Sequence, residues 1–261
     1  MPTILDCSNI ESTTSSLESI LGLSGQVIRE VVRSFNCDVY SRSHPHDHRH
    51  LKEILPDLLR DQGTTVHNPD VVYWFHGTRV LTPGTFRALG LLSLHQRIEQ
   101  IWEDLFQLAQ TWVSREEWQK FRTQVETTDT IVSSARHRQR IGNPADSGPH
   151  AVLVRDAITD HERFCGVDYL SAPETIEDLC ESFKIHHHQD LLSKFQRESI
   201  PCIAKFYDRC RRDDLIGVAL SYLWCTFHEE PCATCNAFLE GNRDAIPTDA
   251  IVEIQELTRR R

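Results

Sequence analysis

Residues 213–230, DDLIGVALSYLWCTFHEE, are apolar around the whole circumference of a helix and not along one stripe. Such a helix is largely buried, so other elements have to enclose it. The chain is long enough to supply them: 261 residues suffice for one sizeable domain with a smaller attached segment. An apolar share of 39% against a charged share of 25% is ordinary globular usage, far from the composition of disordered chains. No apolar run approaches the roughly 18 residues of a membrane helix. The start, MPTILDCSNIESTTSS, lacks the charged-then-apolar layout of a secretory signal, which points to a cytoplasmic protein. Nine cysteines, an odd count, then read as reduced thiols or a metal site rather than a disulfide framework. With 28 basic and 38 acidic side chains the formal charge is −10, which excludes a general nucleic-acid coat protein but leaves room for a local basic strip.

Periodicity sets the order of elements. Residues 15–60 read as helical, with a capping box from Ser15 to Glu18, Val27, Val31 and Val32 on one face, and Pro56 kinking or restarting the last helix. Between these helices, His44, His46, His48 and His50 alternate in SHPHDHRH; this suits one side of an extended segment, and Pro45 and the polar setting favour a solvated linker over a metal site. VVYWFHGTR, 71–79, reads as a buried strand that ends at His76, Gly77 and Thr78, followed by a turn on Pro83-Gly84. Ile98, Ile101, Trp102, Leu105 and Leu108 mark a long amphipathic helix, and Ser114 with Glu117 caps another that runs to about Val125. SSARHRQRIGNPADSGP reads as an exposed, mobile loop whose Arg136, Arg138 and Arg140 either contact phosphates or are simply solvated. HAVLVRDA and IPCIAKFYD read as strands, FCGVDYLSAPETIEDLCESF as strand, turn and helix, and the segment after Pro247 as a closing strand. The expected fold class is α+β: a helical N-terminal region over 1–66, then a mixed-sheet domain over 67–261 with a helical insertion at 95–127 and helix 213–229 packed on the sheet.

The strand with His76-Gly77-Thr78, followed by a turn and an apolar segment ending near Gly90-Leu91, resembles the first motif of the ADP-ribosyltransferase fold, shared by poly-ADP-ribose polymerases and RNA 2'-phosphotransferases. GVDYLSAPETIEDL is similar to that family's strand in which an aromatic precedes a helix, and makes Tyr169 the family tyrosine, with Asp168 where the family usually has an apolar residue. FLEGNRDAIPTDAIVEI is similar to the closing strands, where a glutamate precedes an Ile-Pro turn, and makes Glu240 that glutamate. The resemblance spans about residues 71–257 and implies NAD as substrate. It implies that His76 donates to a ribose hydroxyl, that the main chain of Gly77 holds the nicotinamide amide, and that Tyr169 stacks on the ring. Glu240 would support the positive charge that develops as nicotinamide leaves, and Thr78 would support the turn. The implied activity is ADP-ribosyl transfer to a protein or nucleic-acid acceptor, or NAD glycohydrolysis, as in an intracellular modifier or a toxin-like effector. An inactive binding module of the same fold, or a phosphotransferase-like enzyme with the three arginines at its cleft mouth, is the alternative. The plain alternative for the motif itself is a strand-to-turn junction in which Gly77 supplies positive φ.

CTFHEEPCATC offers a second constellation. Cys225 and His228, three apart on one helix, and the Cys232–Cys235 knuckle have the type and number for a tetrahedral structural zinc site, with Cys202, Cys210 or His186-His187-His188 able to replace one ligand. Free buried thiols and a redox pair are the other readings. No G-x-S-x-G elbow, Walker loop or G-x-G-x-x-G anchors a hydrolase, nucleoside-triphosphate or dinucleotide-fold reading.

Overall fold

A computed structural model of the protein describes residues 2–128, 131–143, 148–164, 168–209, 212–231, 237–239 and 245–257. Helices and strands alternate irregularly along them, an α+β arrangement. Strands β1 (Ile4–Leu5), β2 (Val71–Val80), β4 (Ala151–Val152), β5 (Ile200–Asp208), β6 (Phe238–Leu239) and β8 (Ile251–Glu256) form one sheet in the order β6-β4-β2-β5-β8, with β1 also paired to β2. β1 runs parallel to β2 through Ile4↔Val71 and Leu5↔Val72, and β4 runs antiparallel to it through Phe75↔Val152. A separate antiparallel pair joins β3 (Leu91–Leu92) to β7 (Ala245–Ile246). The Val, Tyr, Trp and Phe content of β2 favours a pleated, covered strand: Val72 and Trp74 are buried on one face and Phe75 on the other.

The residues sort into two compact units. The first comprises Met1–Phe75, Val152–Val167 and Phe206–Leu239; the second comprises His76–Ala151, Asp168–Lys205 and Glu240–Arg261. The first holds α1 (Ile10–Leu21), α2 (Gly25–Ser34), α3 (Cys37–Ser43), α4 (Leu51–Arg60), the short α9 (Asp156–Thr159) and α10 (His161–Phe164), and α13 (Leu215–His228). Nine successive residues of α13, Leu215 to Leu223, are buried, as its all-round apolar sequence demands. Its main neighbours are α4, then α2 and α1, so the helix expected on the sheet lies chiefly against the N-terminal helices. α1 starts earlier than the Ser15 capping box suggested, because Asn9, six residues before it, caps the helix and exchanges hydrogen bonds with Ser12. Pro56 sits inside α4 without ending it. Its ring withholds the N–H that Lys52's carbonyl would otherwise receive, and Gly217 of α13 lies against that same carbonyl: a Cβ there would stand 1.8 Å from the oxygen. The four alternating histidines are exposed in the connection between α3 and α4, which turns at Pro45-His46; His44 stacks on Tyr40 at 4.4 Å.

The second unit contains α5 (Thr85–Leu89), α6 (Leu94–Ala109), α7 (Arg115–Thr127), α8 (Val132–Gly142), α11 (Glu174–His187) and α12 (Leu191–Glu198). Its core is aromatic: Trp102, Trp118, Phe121 and Phe183 meet from α6, α7 and α11, with Trp102 and Trp118 edge-on at 5.6 Å. The capping box at Ser114 forms as the sequence suggests. Of the stretch expected to be a mobile loop, residues 132–142 form helix α8 and residues 144–147 lie outside the described residues; the three arginines all have partners. Arg136 Nε donates to Asp178 at 2.7 Å and its Nη2 to Glu181 at 2.8 Å; Arg140 pairs with the same Asp178 and with Glu174. Arg138 donates to the carbonyls of Val125 and Thr128. Asp178 is buried, so two arginines four apart on α8 are the counter-charge it requires. Ser133 and Ser134 both meet Ser182 of α11, at 2.8 and 3.1 Å. No described helix is long and apolar enough to cross a membrane.

His137 lies inside this helix cluster, 2% exposed, edge-on to Trp102, with no partner for Nδ1. Desolvation pushes its pKa from 6.5 down to about 4; Asp178 and Glu126 pull it up, and Arg140 and Arg122 oppose them. Above pH 6.5 both folded and unfolded states carry a neutral ring. As pH falls towards 4 the unfolded chain takes the proton and the folded chain does not, so stability is lost, on the order of 3 kcal/mol over that window. Urea unfolding from pH 7 to 4 should show this loss in the native protein, and His137→Gln should reduce the slope, the remainder including His76 and His187, whose pKa values desolvation also lowers.

Candidate functional site

His76, Gly77 and Thr78 lie within β2, which continues to Val80, so the strand does not end at the histidine. Thr78 is buried within the strand, ahead of the turn at Pro83-Gly84. Glycine inside a strand costs roughly 0.5–1 kcal/mol relative to alanine, so its presence asks for a reason. The described glycines with positive φ are Gly22, Gly63 and Gly90, and Gly77 is not among them. Positive φ therefore does not explain Gly77; close approach of another group to the main chain is one reason a strand carries a glycine. β4 reaches back only to Ala151 opposite β2, and beyond His76 this flank of β2 has no described strand partner.

The His76 ring is half-buried and its Nδ1 lies 2.6 Å from the carbonyl oxygen of His150. A carbonyl only accepts, so Nδ1 carries the proton. Desolvation lowers the His76 pKa, partly offset by that hydrogen bond, and the ring is neutral at neutral pH. Nε2 is then an acceptor. A group meeting Nε2 would therefore have to donate to it.

Tyr169, expected on a strand, stands in the turn over residues 168–171, ahead of α11. Asp168 explains the departure, because its Oδ1 accepts from the N–H groups of Leu170 and Ser171 at 3.1 and 3.0 Å and closes the turn. Arg79, three residues beyond His76 on β2, donates to the Leu170 carbonyl at 3.0 Å. The motif strand and the Tyr169 turn are thus joined through the residue next to Tyr169. Gly90-Leu91 and Ile246-Pro247, 156 residues apart, also meet through the β3–β7 pair. Gly90 has φ 79°, and a Cβ there would come within 2.2 Å of the Ile246 carbonyl oxygen. Glu240 lies outside the described residues.

Of the zinc candidates, Cys225 is buried in α13 and His228 is exposed at its end, stacked on Trp224 at 4.6 Å. Cys232, Cys235 and Cys210 lie outside the described residues. Cys202 is buried in β5, and His187 packs on Phe183. Among the described residues no group of three or more His, Cys, Asp or Glu side chains is arranged to hold a metal ion. The sequence pattern had missed Arg79 and the His150 carbonyl. Arg79 carried one signal, a cation at the end of an otherwise covered strand; a main-chain acceptor carries none. A scan against protein-family models and searches of curated proteins and of solved structures find no match to this chain.

Proposed function

We propose that the chain transfers ADP-ribose from NAD to a protein or nucleic-acid acceptor, with NAD glycohydrolysis as the same reaction towards water. One observation carries this reading: an extended mid-strand glycine stands beside a histidine whose Nδ1–H is fixed on a carbonyl, where the flanking strand ends. A carboxamide offers one donor group and one acceptor, which suits pairing with the main chain of Gly77 as a peptide pairs with a strand edge. His76 Nε2 accepts from a ribose hydroxyl, and Tyr169 covers the nicotinamide ring. In the reaction the bond between the nicotinamide nitrogen and ribose C1′ breaks and its electron pair leaves with nicotinamide. A lone pair of the acceptor then bonds to C1′ and the acceptor's proton is released. Glu240 is the residue the resemblance assigns to the developing positive charge. The meeting of Gly90-Leu91 with Ile246-Pro247 supports the reading, since both belong to the resembling segments.

Incubation with labelled NAD tests it, with protein, RNA and DNA acceptors offered. The native chain should release nicotinamide, and His76→Ala and Glu240→Gln should each slow release by roughly 10²–10³-fold. No release by the native chain overturns the proposal; native rates in both variants rule out this site. Because His76 has a lowered pKa, its contribution should persist at pH 6.5, where an unperturbed imidazole is half protonated.

A further inference from the structure

We infer that Arg79 is a positioning residue, a staple that sets the Tyr169 turn against the strand carrying His76 and Gly77. Its functional consequence rests on the NAD-site reading; its structural half rests on hydrogen bonds alone. Guanidinium is a planar fork of five N–H donors, able to serve several main-chain acceptors at fixed angles. Nη1 donates to the Leu170 carbonyl at 3.0 Å, Nε to Ser199 Oγ at 2.8 Å, and Nη2 to the carbonyls of Gln196 and, at 3.3 Å, Ser199. One arm therefore reaches the residue after Tyr169, while the others fasten to the end of α12 and the entry to β5.

Gln196 closes the arrangement. Its carbonyl receives Arg79, and its side-chain amide donates to Ser171 Oγ at 2.8 Å. With Asp168 bonded to the N–H groups of Leu170 and Ser171, the neighbours of Tyr169 in the turn are all held, from three directions. A ring presented by a pinned turn loses less freedom when a ligand stacks on it, so Arg79 acts on affinity through Tyr169 without touching the ligand.

The test uses Arg79→Ala beside Arg79→Lys, which keeps the charge and stem but not the fork and guards against a variant that fails to fold. Amide hydrogen exchange over residues 168–172, without ligand, should accelerate about tenfold in Arg79→Lys, the loss of one charge-assisted hydrogen bond, and more in Arg79→Ala. Unchanged exchange there in a folded variant overturns the staple. In NAD cleavage, Arg79→Lys should raise KM about tenfold and leave kcat within about twofold, and should add nothing to Tyr169→Ala. Additive losses overturn the route through Tyr169. If the native chain cleaves no NAD, the NAD-site reading fails, and with it the function given to the turn, while the exchange result still decides whether Arg79 holds it.

Discussion

Gly217→Ala should destabilise the first unit by roughly 3 kcal/mol or more, although alanine is the better helix former. Inside a helix the exchange gains about 1 kcal/mol of propensity. Here the new methyl would stand 1.8 Å from the Lys52 carbonyl oxygen and 2.7 Å from its carbon, both main-chain atoms of α4 that no rotamer change can move aside. Relief requires α4 and α13 to separate, which opens a contact that buries the all-round apolar helix α13. Urea unfolding followed by far-ultraviolet circular dichroism measures the result. A variant as stable as the native protein would mean that the two helices are not in this contact.

The second large effect concerns Asp178. Its side chain is 3% exposed, whereas those of Arg136 and Arg140 are 48% and 26% exposed, so the members of the cluster are not equivalent. Removing both arginines leaves a buried carboxylate without its counter-charges, a change that costs about 3–5 kcal/mol. Asp178→Asn removes the charge that has to be compensated and leaves guanidinium groups that water can reach, so its cost should be near 1–2 kcal/mol. The expected order, Arg136→Ala with Arg140→Ala well below Asp178→Asn in stability, is read from the same unfolding experiment. The reverse order would place the burden of desolvation on the arginines.

Strong periodicity was legible. α6, α7 and α13 and strands β2 and β5 follow apolar patterns long enough to outweigh local ambiguity, and the Ser114 box marks its helix start. α8 was not legible, because Arg136 and Arg140 look solvated until a carboxylate forty residues away proves to be buried. His76 and Gly77 stood out as residue types, but the direction of the histidine's hydrogen bond depends on a main-chain oxygen, about which side-chain identity is silent. Asp168 looked like a departure from a strand pattern, and it is the residue that closes the turn actually present. Each miss concerns a polar group whose partner is distant in sequence or belongs to the backbone.

The hydroxyl contact between α8 and α11 has a consequence for how those helices assemble. Leucine against leucine tolerates sliding, since one methyl replaces another at little cost. Ser133, Ser134 and Ser182 offer no such substitute, and the arginine pair meets Asp178 about one helical turn away along α11. A slide of one turn, about 5.4 Å, would break the serine contacts and leave Asp178 with one of its two arginines, because Arg136 and Arg140 are themselves one turn apart. The arginines alone would tolerate that slide in part, so it is the serine cluster that distinguishes the seat α8 occupies on α11 from its one-turn neighbour.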